Sequence, residues 1–150
     1  MILKESSIEY KFHDDIELMG DQGNNEFNLS ACIHILDHCY EPKKLLLNLN
    51  RKLISNGILL IVVHNPDSSL AKLLGKRWPP YCSQHPQLFT KKGMKEICNF
   101  AGFEIIKQGR TFNNFAMSMI TNFLGLELKF AKKVNLRLPL GNMFYTLRKI

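Results

Sequence analysis

The chain has 150 residues, is 45% apolar and 22% charged, and carries a formal net charge of +7. That length makes one domain, and the composition is that of a globular protein able to bury a core. It excludes a membrane-spanning helix, since no apolar run approaches the roughly 20 residues a bilayer requires.

The segment Met1 to Asp15 has acidic residues and no apolar core, so it reads as a poor signal peptide, and a cytoplasmic location is expected. Residues 8–12 alternate apolar and polar, which predicts a short strand. Gly20 to Glu26 is polar and rich in glycine and asparagine, a surface loop. Asn28 to Ile35 reads as a buried strand ending in the polar cluster His34-Ile35-Leu36-Asp37-His38. A helix follows from Pro42 to about Ile54. Pro42 suits its first turn, where a missing N–H costs nothing, and Leu45, Leu46, Leu49 and Leu53 share one face. Gly57 is expected as its left-handed cap.

Ile58 to Val63 is a near-continuous apolar strand, as in sheets covered on both faces. Ser68 or Asp67 caps a short helix to about Leu74, and Gly75 to Pro86 is irregular. Thr90 caps a further helix with Met94, Ile97, Cys98 and Ala101 on one face and Gly102 at its end. Phe103 to Lys107 is a strand, 111–140 predicts an insertion of one or two helices, and Met143 to Arg148 is a last strand. Strand, loop, helix, turn and strand over 28–63 make the repeating unit of a parallel α/β sheet.

The four cysteines (Cys32, Cys39, Cys82, Cys98) form no CxxC pair and read as reduced, structural thiols. Basic pairs recur at Lys43-Lys44, Lys76-Arg77, Lys91-Lys92, Lys132-Lys133 and Arg148-Lys149. They read either as a solvated surface or as a binder of an anionic partner. The aromatic and basic interleaving of a nucleic-acid module is absent, so nucleic acid is not the expected partner. The amphipathic stretch 112–130 reads as core, as a lid, or as a face for a membrane surface.

Residues 30–66, SACIHILDHCYEPKKLLLNLNRKLISNGILLIVVHNP, resemble the second half of a class I S-adenosylmethionine-dependent methyltransferase. There the pattern runs h-x-L-E-H-x-x-x-P, then leucines, then L-x-x-G-G-x-L-x-I-x-x-P-N. Gly75-Lys76-Arg77-Trp78, His85, Leu88-Phe89-Thr90, Ala101-Gly102-Phe103-Glu104 and Gly141-Asn142-Met143-Phe144-Tyr145 resemble, in order, a subgroup of that superfamily. The family sheet has strand order 3-2-1-4-5-7-6. The resemblance assigns 28–35, 58–63, 103–107 and 143–148 to its fourth, fifth, sixth and seventh strands, and 8–12 to its third.

Its first and second strands have no counterpart. Neither does the E/D-x-G-x-G-x-G turn that lets backbone approach the cofactor, since the glycines before residue 57 are Gly20 and Gly23 alone. The expected fold is therefore an incomplete Rossmann-like α/β methyltransferase sheet. Residues 1–27 form an N-terminal remnant, and 28–150 form the C-terminal part, with the insertion at 111–140.

In open α/β sheets ligands bind beyond the carboxyl ends of the strands, where the segment His34 to His38 is expected. Imidazole ordinarily titrates near neutral pH, so His38 is the candidate general base, with Asp37 orienting it or lining the cofactor pocket. The alternative is a strand end that is polar for its own hydrogen bonding. The resemblance implies cofactor contacts at Asp15, Ile16 and His34. It implies substrate contacts at Asn65, Arg77, Trp78 and His85, where Trp78 reads either as a stacking lid or as a packing anchor. The spacing His-x-x-Asp-His is similar to a zinc-peptidase pattern, but that needs both histidines on one helix face. Here the segment leaves a strand and meets Pro42, so no metal is expected.

The implied activity is S-adenosylmethionine-dependent methylation, on oxygen, of a small-molecule, sugar or lipid-linked acceptor, in a truncated or degenerate member weakly active or inactive alone. Two other readings stand beside it. One is a non-catalytic module that uses its open sheet edge to join a second copy or another chain. The other is a basic surface binder of polyanions, whose binding would be steeply salt-dependent.

Overall fold

The computed structural model describes residues 25–116, 135–138 and 141–150. The elements run β1 (Phe27–Ile33), a 3-10 turn (Leu36–His38), α1 (Pro42–Lys52), β2 (Leu53–His64), α2 (Ser69–Leu74) and a second 3-10 turn (Gly75–Arg77). They continue with α3 (Lys91–Phe100), β3 (Phe103–Arg110), β4 (Asn113–Ala116), β5 (Asn135–Leu138) and β6 (Asn142–Lys149). Four strands form a sheet in the order β1-β2-β6-β3. The β1–β2 pair is parallel, and β6 is antiparallel to both β2 and β3. This is the family order 4-5-7-6, with the seventh strand reversed, so the expected α/β sheet is present. The strand expected at 8–12 lies outside the described residues.

The core lies between the sheet and helices α1 and α3. Leu59, Ile61 and Val63 of β2 and Met143, Tyr145 and Leu147 of β6 point to one side. They meet Leu45, Leu46 and Leu49 of α1 and Met94, Ile97 and Cys98 of α3. The period of two on the strands and of three to four on the helices brings these sets together. On the opposite face of β2, Ile58 and Leu60 are half-buried. The continuous apolar run therefore marks one buried face and one partly covered face among the described residues.

Helix α1 starts on Pro42 and stops at Lys52, because Leu53 turns extended while its N–H still reaches the Leu49 carbonyl. Gly57 is not the left-handed cap that its spacing suggests. Leu53 pairs with Phe27 and Ile58 with Leu29, so Ile54, Ser55, Asn56 and Gly57 stand opposite Asn28 alone, a bulge at the start of β2. Asn56 supplies the left-handed turn, with φ +63°; asparagine tolerates that region better than most residues. Gly57 is needed for space, since a Cβ there would lie 2.8 Å from the Ile54 carbonyl oxygen.

The other caps follow the expected chemistry. Ser68 Oγ accepts from the Ala71 N–H at 3.1 Å, and Thr90 Oγ1 accepts from the Gly93 N–H at 3.1 Å. Gly102 is left-handed after α3, and its carbonyl accepts from Asn50 Nδ2 at 3.0 Å, tying the end of α3 to α1. The segment 111–140, expected as helical, begins and ends in strands. β4 and β5 pair antiparallel, and residues 117–134 lie outside the described residues. The strand-forming ends are Asn- and Leu-rich and short, so the apolar content of the intervening stretch masked them.

Among the described residues no helix is long and apolar enough to cross a membrane. None of the four cysteines is in a disulfide. Burial pushes the Cys32 and Cys98 thiols up to about 12.

Two predictions follow from this packing. Gly57→Ala forces a side-chain carbon against a backbone oxygen and should cost about 1–3 kcal/mol. Gly93→Ala, whose added carbon meets Thr90 Oγ1 at an ordinary 3.4 Å, should be neutral or mildly stabilising; urea unfolding of the two variants separates these outcomes. Because the Cys32 and Cys98 thiols ionise later in the folded than in the unfolded chain, their contribution is intact below about 9 and is lost as pH rises towards about 12. Iodoacetamide at neutral pH should therefore label the exposed Cys82 first, as read by peptide mass spectrometry.

Candidate functional site

The carboxyl ends of β1 and β2 open on the same side of the sheet because the strands are parallel. The backbone leaving β1 turns at His34, which has φ +52° and donates its N–H to the Val62 carbonyl at 2.9 Å. A non-glycine residue in this left-handed conformation costs about 1–2 kcal/mol, and such strain collects at functional sites. The 3-10 turn Leu36–His38 follows. Leu36 is buried in the core, and the next side chain, Asp37, is completely buried as well.

Asp37 is satisfied from the end of β2. Its Oδ2 accepts the backbone N–H of His64 at 3.0 Å and lies 2.8 Å from His64 Nδ1. A carboxylate there makes Nδ1 the protonated nitrogen of a neutral ring, which leaves Nε2 as the basic one. The arrangement is that of a carboxylate holding an imidazole in one tautomer and one orientation. Asp37 therefore turns to His64, and its described hydrogen bonds do not include His38.

Three more histidines gather round this pair. The His34 ring centroid is 4.7 Å from that of His64, and the His85 ring is 4.7 Å from His64 and 4.4 Å from His38. Four of the chain's five histidines thus meet at one end of the sheet. His34 Nε2 is 3.3 Å from Asn142 Nδ2, and His34 Nδ1 is 4.0 Å from Asp37 Oδ2. Burial first, then the neighbouring His64, hold the His34 imidazole below the ordinary histidine range, against the opposite pull of Asp37. Among the described residues, His34 Nδ1 and Asp37 Oδ1 are buried without a hydrogen-bond partner.

The loop after α2 closes over the cluster. Trp78 is 2% exposed, edge-on to Tyr81 at 5.1 Å, with its ring 6.2 Å from His64. His85 Nδ1 lies 3.0 Å from the Pro80 carbonyl and 3.2 Å from Cys82 Sγ.

Of the residues singled out in the sequence, the fold brings together His34, Asp37, His38, Trp78 and His85. Asn65 is occupied by the turn after β2: its N–H donates to the Gly141 carbonyl at 2.7 Å, and its Oδ1 accepts from the Asp67 N–H at 3.0 Å. Arg77 is exposed at the end of its 3-10 turn and makes none of the contacts that build the cluster. Asp15 and Ile16 lie outside the described residues. Sequence reasoning missed His64 and Asn142. The signal for His64 was its place as the last residue of a strand parallel to the one that ends at His34. Asn142 carried no such signal.

A family model described as a methyltransferase domain matches residues 6–108. The chain belongs to this methyltransferase-domain family.

No curated protein matches the domain. Among solved structures, this methyltransferase domain is similar to a protein from Bacillus halodurans C-125 described as a methyltransferase. The identity is 15% and the TM-score 0.63, over 90% of this chain and 69% of that one. It is similar to an SAM-dependent methyltransferase from Archaeoglobus fulgidus, with 14% identity and TM-score 0.60, over 89% of this chain and 64% of that one. It is also similar to the 1,6-didemethyltoxoflavin-N1-methyltransferase of Burkholderia thailandensis, solved with 1,6-didemethyltoxoflavin and S-adenosylhomocysteine. There the identity is 17% and the TM-score 0.55, over 87% of this chain and 47% of that one. At these identities the likeness is one of fold. The chain spans between about half and just over two thirds of the length of these three structures.

In this methyltransferase domain Asp37→Ala removes the acceptor of two His64 groups from a buried position. The loss should be about 1–3 kcal/mol, measured by denaturant unfolding, and Asp37→Asn, which keeps one acceptor oxygen, should lose less.

Proposed function

We propose that this domain forms the acceptor end of an S-adenosylmethionine-dependent methyltransferase acting on a small-molecule, sugar or lipid-linked acceptor, most readily at oxygen. The observation that carries the proposal is the pairing of fully buried Asp37 with His64 at the carboxyl ends of adjacent parallel strands, where open α/β sheets bind ligands. When bound, the cofactor supplies a sulfonium methyl group. The work left to the protein is to position an acceptor and take its proton. His64 Nε2 accepts that proton, Asp37 stabilises the resulting imidazolium, and Trp78 walls the site against water. His85, beside His64, and His38, beside His85, form the polar lining that meets the acceptor.

The described residues fit the acceptor end of such a site and not its nucleoside end. No glycine-rich turn precedes β1 in the sequence, and the residues implied to meet adenine, Asp15 and Ile16, lie outside the described residues. The expectation is that the 150-residue chain binds cofactor weakly alone. A cytoplasmic setting suits its cysteines, none of which is in a disulfide.

A second reading rests on a separate observation. Leu29 and Ile33 of β1 are 64% and 52% exposed, and the outer edge of β1 pairs with no strand among the described residues. Such an edge suits a second copy or a partner chain, and a non-catalytic module would use it in place of chemistry.

Calorimetric titration with S-adenosylmethionine and S-adenosylhomocysteine tests the first reading. Dissociation constants weaker than micromolar are expected for the chain alone, and micromolar binding would mean that these residues complete the cofactor site themselves. In a preparation that transfers methyl groups, His64→Gln and Asp37→Asn should each slow transfer roughly 10²- to 10⁴-fold while leaving S-adenosylhomocysteine affinity little changed. Equal transfer rates would remove His64 as the base. A stable, stoichiometric complex that fails to bind cofactor would favour the second reading.

A further inference from the structure

The cluster has a property that proton transfer does not use. His34, Asp37 and His64 each present one donor atom, and these atoms all lie within 4.8 Å of one another. Two imidazole nitrogens and a carboxylate oxygen are the ligand set of a borderline divalent transition ion rather than of magnesium or calcium, which take oxygen. We propose that this domain binds one such ion, Zn²⁺ or an ion of similar preference, through His34 Nδ1, the Asp37 carboxylate and His64 Nδ1. This departs from the expectation of no metal drawn from the His34-to-His38 segment, because the third ligand comes from a different strand.

Three observations converge on the site. First, Asp37 is wholly buried and one of its oxygens, Oδ1, has no hydrogen-bond partner among the described residues; the same holds for His34 Nδ1. Buried polar groups left unmatched are costly, and a cation held by His34 Nδ1 and the Asp37 carboxylate gives that nitrogen a partner and the buried carboxylate an opposite charge. Second, the donors are held from the backbone. His34 is fixed in a left-handed turn, and the His64 N–H donates to Asp37 at 3.0 Å. Third, the outer nitrogen of His34 already has a partner. Coordination at Nδ1 leaves the proton on Nε2, beside the Asn142 amide at 3.3 Å, and turning that amide presents Oδ1 to receive it. Metal-bound histidines are held in this way by a second hydrogen bond.

The adjustment required is small. Donor atoms around a tetrahedral ion with bonds of about 2.0–2.2 Å stand roughly 3.3 Å apart. Asp37 Oδ2 is now 2.8 Å from His64 Nδ1 and 4.0 Å from His34 Nδ1, so these two distances change by less than about 1 Å, and the donor atoms of the two histidines already lie within 4.8 Å of each other. Three protein ligands leave at least one position for water or an acceptor oxygen. Filling the site takes His64 Nδ1 from its hydrogen bond with Asp37 and ends its role as a proton acceptor. The site thus has two alternative states, a base when empty and an ion ligand when filled.

The test uses untagged protein freed of metal by a chelator and titrated with Co²⁺, with visible absorption as the readout, and with Zn²⁺ by calorimetry. One ion per chain is expected, with the ligand-field bands of a low-coordinate cobalt site. His34→Gln and His64→Gln should each weaken binding at least about tenfold, and Cys82→Ala should leave it within about threefold. His34 is the more exposed ligand, 35% against 18% for His64, so His34→Gln is the variant best able to keep its fold, checked by circular dichroism. Folded protein that binds neither ion overturns the proposal. So does binding that survives both histidine variants and disappears with Cys82→Ala, which would move the ion to the exposed Cys82 and His85 pair. The titration contains no S-adenosylmethionine, so failure of methyl transfer and failure of metal binding are read separately.

Discussion

The carboxylate of Asp37 ties the ends of two parallel strands together, and the geometry of the site depends on that tie. A buried carboxylate must be met by donors, and the donors come from His64, through both backbone and ring. This one interaction joins the turn after β1 to the last residue of β2. It sets the His64 tautomer and places the His34 ring 4.7 Å from the His64 ring. Leu36 and Asp37 are adjacent and both fully buried.

In the loop that follows α2, Trp78 is buried against Tyr81 and beside His64, which is the packing anchor of the two roles open to it in the sequence. Further along the loop His85 meets both His38 and His64. Removing water here strengthens the interaction between Asp37 and its partners, whether the partner is a proton or an ion. The basic pairs, by contrast, lie elsewhere. Lys43, Lys44, Lys76, Arg77, Lys91 and Lys92 fall in or beside helices and turns, all of them exposed, and they take no part in building the cluster.

Much of this was legible in advance. The apolar runs and leucine spacing identified β1, α1, β2, α3, β3 and β6, because burial on one face of a strand or helix imposes a period on the sequence. Pro42, Ser68 and Thr90 marked helix starts for local reasons that survive in the fold. Gly57 misled, because a glycine demanded by close approach looks the same in sequence as one demanded by a left-handed turn, and here Asn56 makes the turn. The ends of the 111–140 segment misled because β4 and β5 hold each other by backbone pairing, which leaves little trace in hydropathy. In the site, His34, Asp37, His38 and His85 could be named from the sequence, but the partner of Asp37 could not.

The sequence by itself determined most of the strands and helices, their order and the family whose pattern they repeat, since each of these follows from periodicity and local chemistry along the chain. Only the tertiary structure decided that Asp37 faces His64 rather than its neighbour His38, and that His34, Asp37 and His64 converge. Those facts depend on the register of β1 against β2, which places Ile33 beside Val62 and so sets His34 and His64 at the same end of the sheet. Register is a relation between segments thirty residues apart, and no local pattern records it.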